Sequence, residues 1–310
     1  MQFGDSPERY NVVWDSPSQD QHGSVPLGNG STGLNAWIEP NGDLVFYISR
    51  TDSWGGNGRL LKLGGVRITL DPAPSTDDFL QTLSLVDGTL KVRCGKTDIR
   101  LWVDANHPVI HVEADGPERT DATAAIELWR EGDDSDTVLK NLDGTVGWYH
   151  RNVYSSEPAA LAEAQGLTAF ERQGPLLHRT FGAVIKATGA QRIDDTHLRS
   201  ASSRKHRFDI YVLARHPATE DEWRAGVDQV IADVEATSFS VRRAAHETWW
   251  KAFWQRSWFH VTATGAQKDD AFVISRAYAL QRYVTACGAR GAYPIKFNGS
   301  IFTVEHEGKP

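Results

Sequence analysis

Through the first two thirds of the chain, apolar and polar residues alternate in short runs, the period of strands with one face buried. Residues 34–38 and 44–49 are two such runs, and Glu39-Pro40-Asn41-Gly42-Asp43 between them has the composition of a hairpin connection. A short strand is expected at 12–15 and another at 66–70. Runs at 82–86 and 89–94 flank Asp87-Gly88, a strong hairpin signal, and runs at 99–103 and 109–113 flank Asn106-His107-Pro108. Residues 124–129 follow, then an acidic, irregular stretch at 132–136 that reads as an exposed loop. Residues 155–166 read as a short helix or an inserted loop, and strands are expected again at 168–172, 181–187, 197–201 and 208–214. So many short strands with few helices predict two packed antiparallel sheets, more than an immunoglobulin-type domain holds.

The period changes after His216-Pro217. Thr219 and Glu222 have capping-box spacing, and Trp223, Val227, Val230, Ile231 and Val234 then recur at helical intervals. A break near Thr237-Ser238 starts a second helix carrying Val241, Ala245, Trp249, Ala252 and Phe253. A third is expected from about 269 to 287, stopping at Gly288. Consecutive helices without an intervening strand mark a boundary near residue 217.

Composition narrows the function. The chain has 310 residues, 40% of them hydrophobic and 24% charged, as soluble globular proteins do. A net charge of -7 argues against nucleic acid or an anionic membrane as partner. No apolar run reaches transmembrane length, and the first residues lack the pattern of a signal peptide. The protein is then cytoplasmic, or an export signal has been removed. Two cysteines, Cys94 and Cys287, form no disulfide framework, and the eleven histidines show no metal-ligand spacing. His107 and His111 are four apart but lie in expected β structure, so they share no helix face. No metal and no cofactor are expected. Eleven tryptophans are many; each is either core filling or a flat surface on which a sugar ring could stack.

Gly28, Gly30 and Gly33 punctuate a shaped turn ahead of the first hairpin. It lacks a following Lys-Ser/Thr and leads into a strand, which makes a phosphate cradle a weak reading. The hairpin ends in Arg50-Thr51-Asp52-Ser53-Trp54, polar residues around an indole.

The run PLGNGSTGLNAWIEPNGDLVFYISRTDSW, residues 26–54, resembles the N-terminal β-sandwich of the inverting glycoside hydrolases related to the family 95 α-L-fucosidases. A closer resemblance is to a family 95-like group whose N-terminal domain has no settled function. Far downstream, residues 249–258, WWKAFWQRSW, resemble the linker-helix signature that joins this sandwich to an (α/α)6 barrel. The resemblance implies a mainly β chain: an antiparallel β-supersandwich at 1–217, linker helices at 218–262, and the start of an (α/α)6 barrel at 263–310. It implies the N-terminal part of a carbohydrate-active enzyme acting by inversion through a general acid and a general base, groups roughly 6.5–9.5 Å apart in such enzymes. No residue here matches those two, so they are expected beyond residue 310, in the remainder of the barrel. Glu305 and Glu307 read more simply as solvated residues. The expected ligand is a carbohydrate, of open sugar and linkage, with water or phosphate as acceptor.

By the same resemblance, loops at one end of the sandwich line the pocket, which makes Arg50, Asp52 and Trp54 substrate-binding candidates. Otherwise Asp52 pairs with Arg50, and Trp54 packs against the linker helices. Lys296, Asn298 and Phe302, in the stretch after the third helix, are the other candidates; Asn298 could hold sugar hydroxyls or form a turn with Gly299. The competing reading is a non-catalytic carbohydrate-binding or structural module. The Trp-bearing helix faces are expected to be partly exposed in this chain and to drive association.

Overall fold

The structure is a computed structural model, and it describes residues 6–132, 135–153, 156–167, 174–293 and 300–304. The strands are β1 (Val12–Trp14), β2 (Val25–Gly28), β3 (Thr32–Ile38), β4 (Leu44–Trp54), β5 (Leu60–Asp71), β6 (Leu80–Ser84) and β7 (Thr89–Cys94). They continue with β8 (Thr97–Val103), β9 (Val109–Glu127), β10 (Thr137–Val138), β11 (Thr145–Arg151), β12 (Thr180–Ala187), β13 (Ala190–Arg192) and β14 (His197–Arg215). Helix α1 (Ser156–Ala164) lies between β11 and β12, and α2 (Glu220–Glu235), α3 (Phe239–Arg256) and α4 (Lys268–Gly288) follow the last strand.

All the pairings are antiparallel, and two 19-residue strands organise them. The first half of β9 pairs with β8 and with the second half of β14. Its second half pairs with β5 and with the first half of β14. The two long strands therefore run through both layers of a sandwich. One layer is β1-β6-β7-β8-β9-β14-β12-β11-β10, and the other carries β2, β3, β4, β5 and β13 on the far halves of β9 and β14. The passage lies at Gly116-Pro117-Glu118-Arg119 in β9 and at register shifts between Ser200 and Lys205 in β14. A strand break with a local twist is what a bulge supplies.

Alternate residues of the two layers meet in one core. Leu34, Ala36, Phe46 and Ile48 from one layer join Ile99, Leu101, Ile110, Val112, Phe208 and Ile210 from the other, each 4% exposed or less. Helix α2 covers the outer face of the first layer, where Trp223, Val227 and Val234 pack on Val109, Val184 and Tyr211. Its capping box is formed as expected: the Thr219 hydroxyl accepts from the Glu222 N–H and the Glu222 carboxylate from the Thr219 N–H. Helices α3 and α4 add to the main core through Trp250, Phe253, Trp254 and Tyr283. The Trp250 and Tyr283 rings stack at 5.4 Å, and the Trp254 indole donates to the Leu85 carbonyl at 2.7 Å.

The architecture is thus mainly antiparallel β with four helices. Where expectation and structure differ, the cause is local. Residues 109–113 and 124–127 belong to one strand, which ends before Leu128 and Trp129, as do 197–201 and 208–214, because alternation lapses where each long strand changes layer and turns polar side chains outward. Strands β2, β10 and β13 are too short to show a period of two, and β11 is buried along nearly its whole length, polar His150 included, which hides the alternation. The stretch expected as a strand at 168–172 lies outside the described residues. Among the described residues α4 is the one long helix after α3, so a barrel is not part of the described fold. Of the eleven tryptophans six are buried, five half-buried and none fully exposed; on the helices Trp223, Trp250 and Trp254 are buried, while Trp249 and Trp258 keep part of their surface open.

Candidate functional site

Strand β4 carries three of the candidate residues, Arg50, Asp52 and Trp54, past the edge of the core. Thr32 pairs with Arg50 across the β3–β4 ladder just as Leu34 pairs with Ile48, so Arg50 and Asp52 continue the row that includes Phe46 and Ile48. A bulge between Ile48 and Trp54 loosens the other edge of β4, against β5. The Arg50 guanidinium takes both Asp52 carboxylate oxygens, Nε to Oδ1 at 2.7 Å and Nη2 to Oδ2 at 3.0 Å, and Nη1 donates to the Thr32 hydroxyl at 3.3 Å. This is the geometry in which a planar fork meets a carboxylate best. Trp54 is half-buried; its indole N–H donates to the Thr51 carbonyl at 3.1 Å, and its own carbonyl accepts from the Asn152 amide at 2.9 Å.

Beside the pair, the glycine-punctuated turn is a seat for the helical segment. Gly30, at φ 93°, donates its N–H to the Cys287 carbonyl at 2.8 Å, and its carbonyl accepts from the N–H groups of Arg290 and Gly291. A Cβ on Gly30 would stand 2.1 Å from the Arg290 Cβ. A Cβ on Gly33 would meet Ile301 and Phe302 side-chain atoms at 2.5 and 2.8 Å. The glycines are thus required by close backbone approach rather than by an anion. Asn29 ties the turn to the loop after β8, donating to the carbonyls of Asp104 and His107 while its Oδ1 accepts the N–H of Thr32.

Phe302 is held in the same place. Its carbonyl accepts from the Asn35 amide at 3.0 Å, and buried Lys62 donates to the Ile301 carbonyl and to Asn35 Oδ1, both at 2.8 Å. Lys296 and Asn298 lie outside the described residues, as do Glu305 and Glu307. The structure therefore brings Arg50, Asp52 and Phe302 to one end of the sandwich, with Trp54 at the close of β4. The alternative pairing of Asp52 with Arg50 is the one observed. Contact of Trp54 with the linker helices is not among its hydrogen bonds or ring contacts.

Three features escaped sequence reading. Lys62 is a cation set among Leu60, Leu61 and Leu63 in β5, which was the available signal. Arg179 precedes β12 and reaches back to the Asp52 carbonyl through Nη1 at 3.1 Å, 127 residues away in sequence, with no local signal at all. The third is a polar cluster under α3. His111, fully buried, meets the Asp209 carboxylate through Nδ1 at 2.6 Å, and Trp102 lies between the rings of His111 and His246 at 4.2 and 4.5 Å. His246 accepts the Ala105 N–H at Nδ1 and meets the Asp87 carbonyl through Nε2 at 2.6 Å. Burial pushes its pKa from 6.5 down to about 4, against the Asp87 hydrogen bond, which raises it, and with the Arg243 cation, which lowers it further. Among the described residues no group of His, Cys, Asp or Glu is placed to hold a metal ion. A groove of about 960 Å³, bordered by Val86, Lys251, Trp254, Gln255 and Trp258, includes none of the hairpin-end residues.

Compared with known proteins, the chain matches the family model described as a domain of unknown function, DUF5703, in its N-terminal part, over residues 13–138 and 133–259. Those matches span most of the chain, and the protein belongs to that family. No curated protein matches it. Among solved structures, a putative kojibiose phosphorylase from the human microbiome is similar at 9% identity and a TM-score of 0.48, over 90% of this chain and 42% of that one. The chain spans less than half the length of that neighbour.

Proposed function

We propose that this chain is the N-terminal part of a carbohydrate-active enzyme, an inverting glycoside hydrolase of the family 95 type, in which the sandwich positions a substrate-facing segment. The general acid and general base are supplied by a helical barrel outside residues 1–310. Arg50, Asp52, Trp54, Lys296, Asn298 and Phe302 belong to the pocket rim, and none of them is the acid or the base.

One observation carries this reading. The two stretches that resemble the hydrolases, residues 26–54 and the α3 signature, belong to one assembly: Gly30 is bonded to Cys287, Arg290 and Gly291, and Trp250 stacks on Tyr283 of α4. A sandwich fused at its loop end to the segment after α4 is suited to orienting that segment toward a ligand. No tryptophan is fully exposed, which counts against a separate module that binds sugar on a broad indole platform.

The test is release of free sugar from a panel of aryl glycosides, run on the 310-residue chain and on the full reading frame. Turnover by the longer protein alone supports the proposal. Turnover by the 310-residue chain itself would overturn the division of labour, and no turnover by either, with no sugar bound, would overturn the carbohydrate reading.

A further inference from the structure

Most of the buried and half-buried arginines in this protein are compensated in two ways. Some meet carboxylates: Arg67 contacts Glu39, Asp43 and Glu127, Arg130 contacts Asp136, and Arg50 contacts Asp52. Others cap the negative end of a helix. Arg242 donates to the Val234 and Thr237 carbonyls at the end of α2, Arg282 to the Phe253 carbonyl near the end of α3, and Arg290 to the Ala286 carbonyl near the end of α4.

Arg179 has neither kind of partner. It is 7% exposed, and among the described residues its guanidinium makes one hydrogen bond, from Nη1 to the strand carbonyl of Asp52, and lies 5.7 Å from the Tyr293 ring centre. Its Nε is buried and has no acceptor. The Nε–Nη2 edge is the side of a guanidinium that takes both oxygens of a carboxylate. An uncompensated buried charge is costly, so an anion at that edge would remove a penalty the folded chain otherwise carries. Beside the guanidinium the Tyr293 ring is 39% exposed, and Arg179 itself keeps 7% of its surface open. The neighbouring cation Arg50 is neutralised by Asp52, and buried Lys62 is held by Asn35 Oδ1 and the Ile301 carbonyl, whereas Nε of Arg179 has no acceptor among the described residues.

We propose that Arg179 is a specificity-determining residue that receives the carboxylate of an acidic sugar, a uronate unit, at the loop end of the sandwich. The inference rests on the carbohydrate reading above and adds the charge of the sugar to it.

The test is calorimetric titration of the 310-residue protein with glucuronate, glucose, acetate and inorganic phosphate, repeated on Arg179→Gln and Arg179→Lys, with near-ultraviolet circular dichroism to verify folding. The expected result is glucuronate bound at least about 10-fold more tightly than glucose and than acetate, a charge-assisted bidentate contact being worth that much. Arg179→Gln removes the preference, and Arg179→Lys, which keeps the charge but not the fork, keeps only part of it. If Arg179→Gln does not fold, the lysine variant alone decides. Equal binding of glucuronate and glucose, or a preference that survives in both variants, overturns the role of Arg179 and leaves the carbohydrate reading standing. Acetate or phosphate bound as tightly as glucuronate, and lost with Arg179, overturns the sugar as ligand and with it the carbohydrate reading. No binding of any of the four overturns the proposal.

Discussion

The middle and the open end of the β3–β4 hairpin are held by different forces. In the middle, Leu34, Ala36, Phe46 and Ile48 are buried among side chains of both layers. At the open end, Gly30 and Gly33 are held by contacts with residues some 250 positions downstream, and Asn35, between Leu34 and Ala36, joins them through a hydrogen bond to the Phe302 carbonyl. The first kind of contact is non-directional and tolerates repacking; the second depends on distance and angle and fails when either partner moves. The middle of the hairpin should therefore unfold with the whole domain, and the open end should come apart locally first.

The sharpest test of that contrast replaces a buried indole in the core. Trp148 is fully buried, and its N–H donates to the Leu63 carbonyl at 2.7 Å. Trp148→Ala should cost about 3–5 kcal/mol, the range for deleting a large core side chain. Urea unfolding should shift as one transition, with core and open end lost together. A separate early transition confined to the core would break the comparison.

A pH titration comes next, because it loads one group at the junction of the sandwich with α3. With His246 near 4 in the fold against 6.5 when exposed, the unfolded chain binds the extra proton first as pH falls. Stability from this group is complete above about pH 6.5 and is lost as pH falls toward 4, by at most about 3 kcal/mol for a shift of this size. The measurement is the unfolding free energy from pH 7 to 4, in wild type and in His246→Gln. The variant should be less stable at pH 7 and show a flatter slope. An equal slope in both would remove His246 as the cause.

At the open end itself, Lys62→Met keeps the length of the side chain and deletes its ammonium. The Ile301 carbonyl and Asn35 Oδ1 then lose a donor, at a cost of about 1–3 kcal/mol. Hydrogen exchange should speed up at residues 300–304 and in the turn at 28–33, while the strands in the middle of the hairpin keep their protection. Uniform loss of protection would mean that the two regions are not separable.

What could be read beforehand divides along the same line. The strand runs, the change to helices near residue 217 and the predominance of antiparallel β structure were legible because burial writes a period into neighbouring residues. So was the hairpin at Asp87-Gly88. The layer-crossing character of β9 was not, since the residues at its bend are polar and exposed and look like a loop. At the candidate site, Arg50 and Asp52 could be recognised as a pair two positions apart. Arg179 could not, because its partner is a backbone carbonyl, and any residue type supplies one.

The smallest effect concerns the one polar device that was legible. Thr219 and Glu222 are three residues apart, and each accepts from the other's backbone N–H, so both partners lie within one turn and their spacing alone announces the contact. Thr219→Ala should cost about 1 kcal/mol. The loss should appear as fraying of the first turn of α2, seen in hydrogen exchange at residues 221–223, with no change at residues 300–304. A change there as well would show that α2 and the open end of the hairpin are coupled through β14, and the hairpin end could no longer be treated as a local unit. If the two stay independent, the local polar contact and the distant ones differ in legibility but not in strength, and what hid the hairpin end from sequence was the separation of its partners.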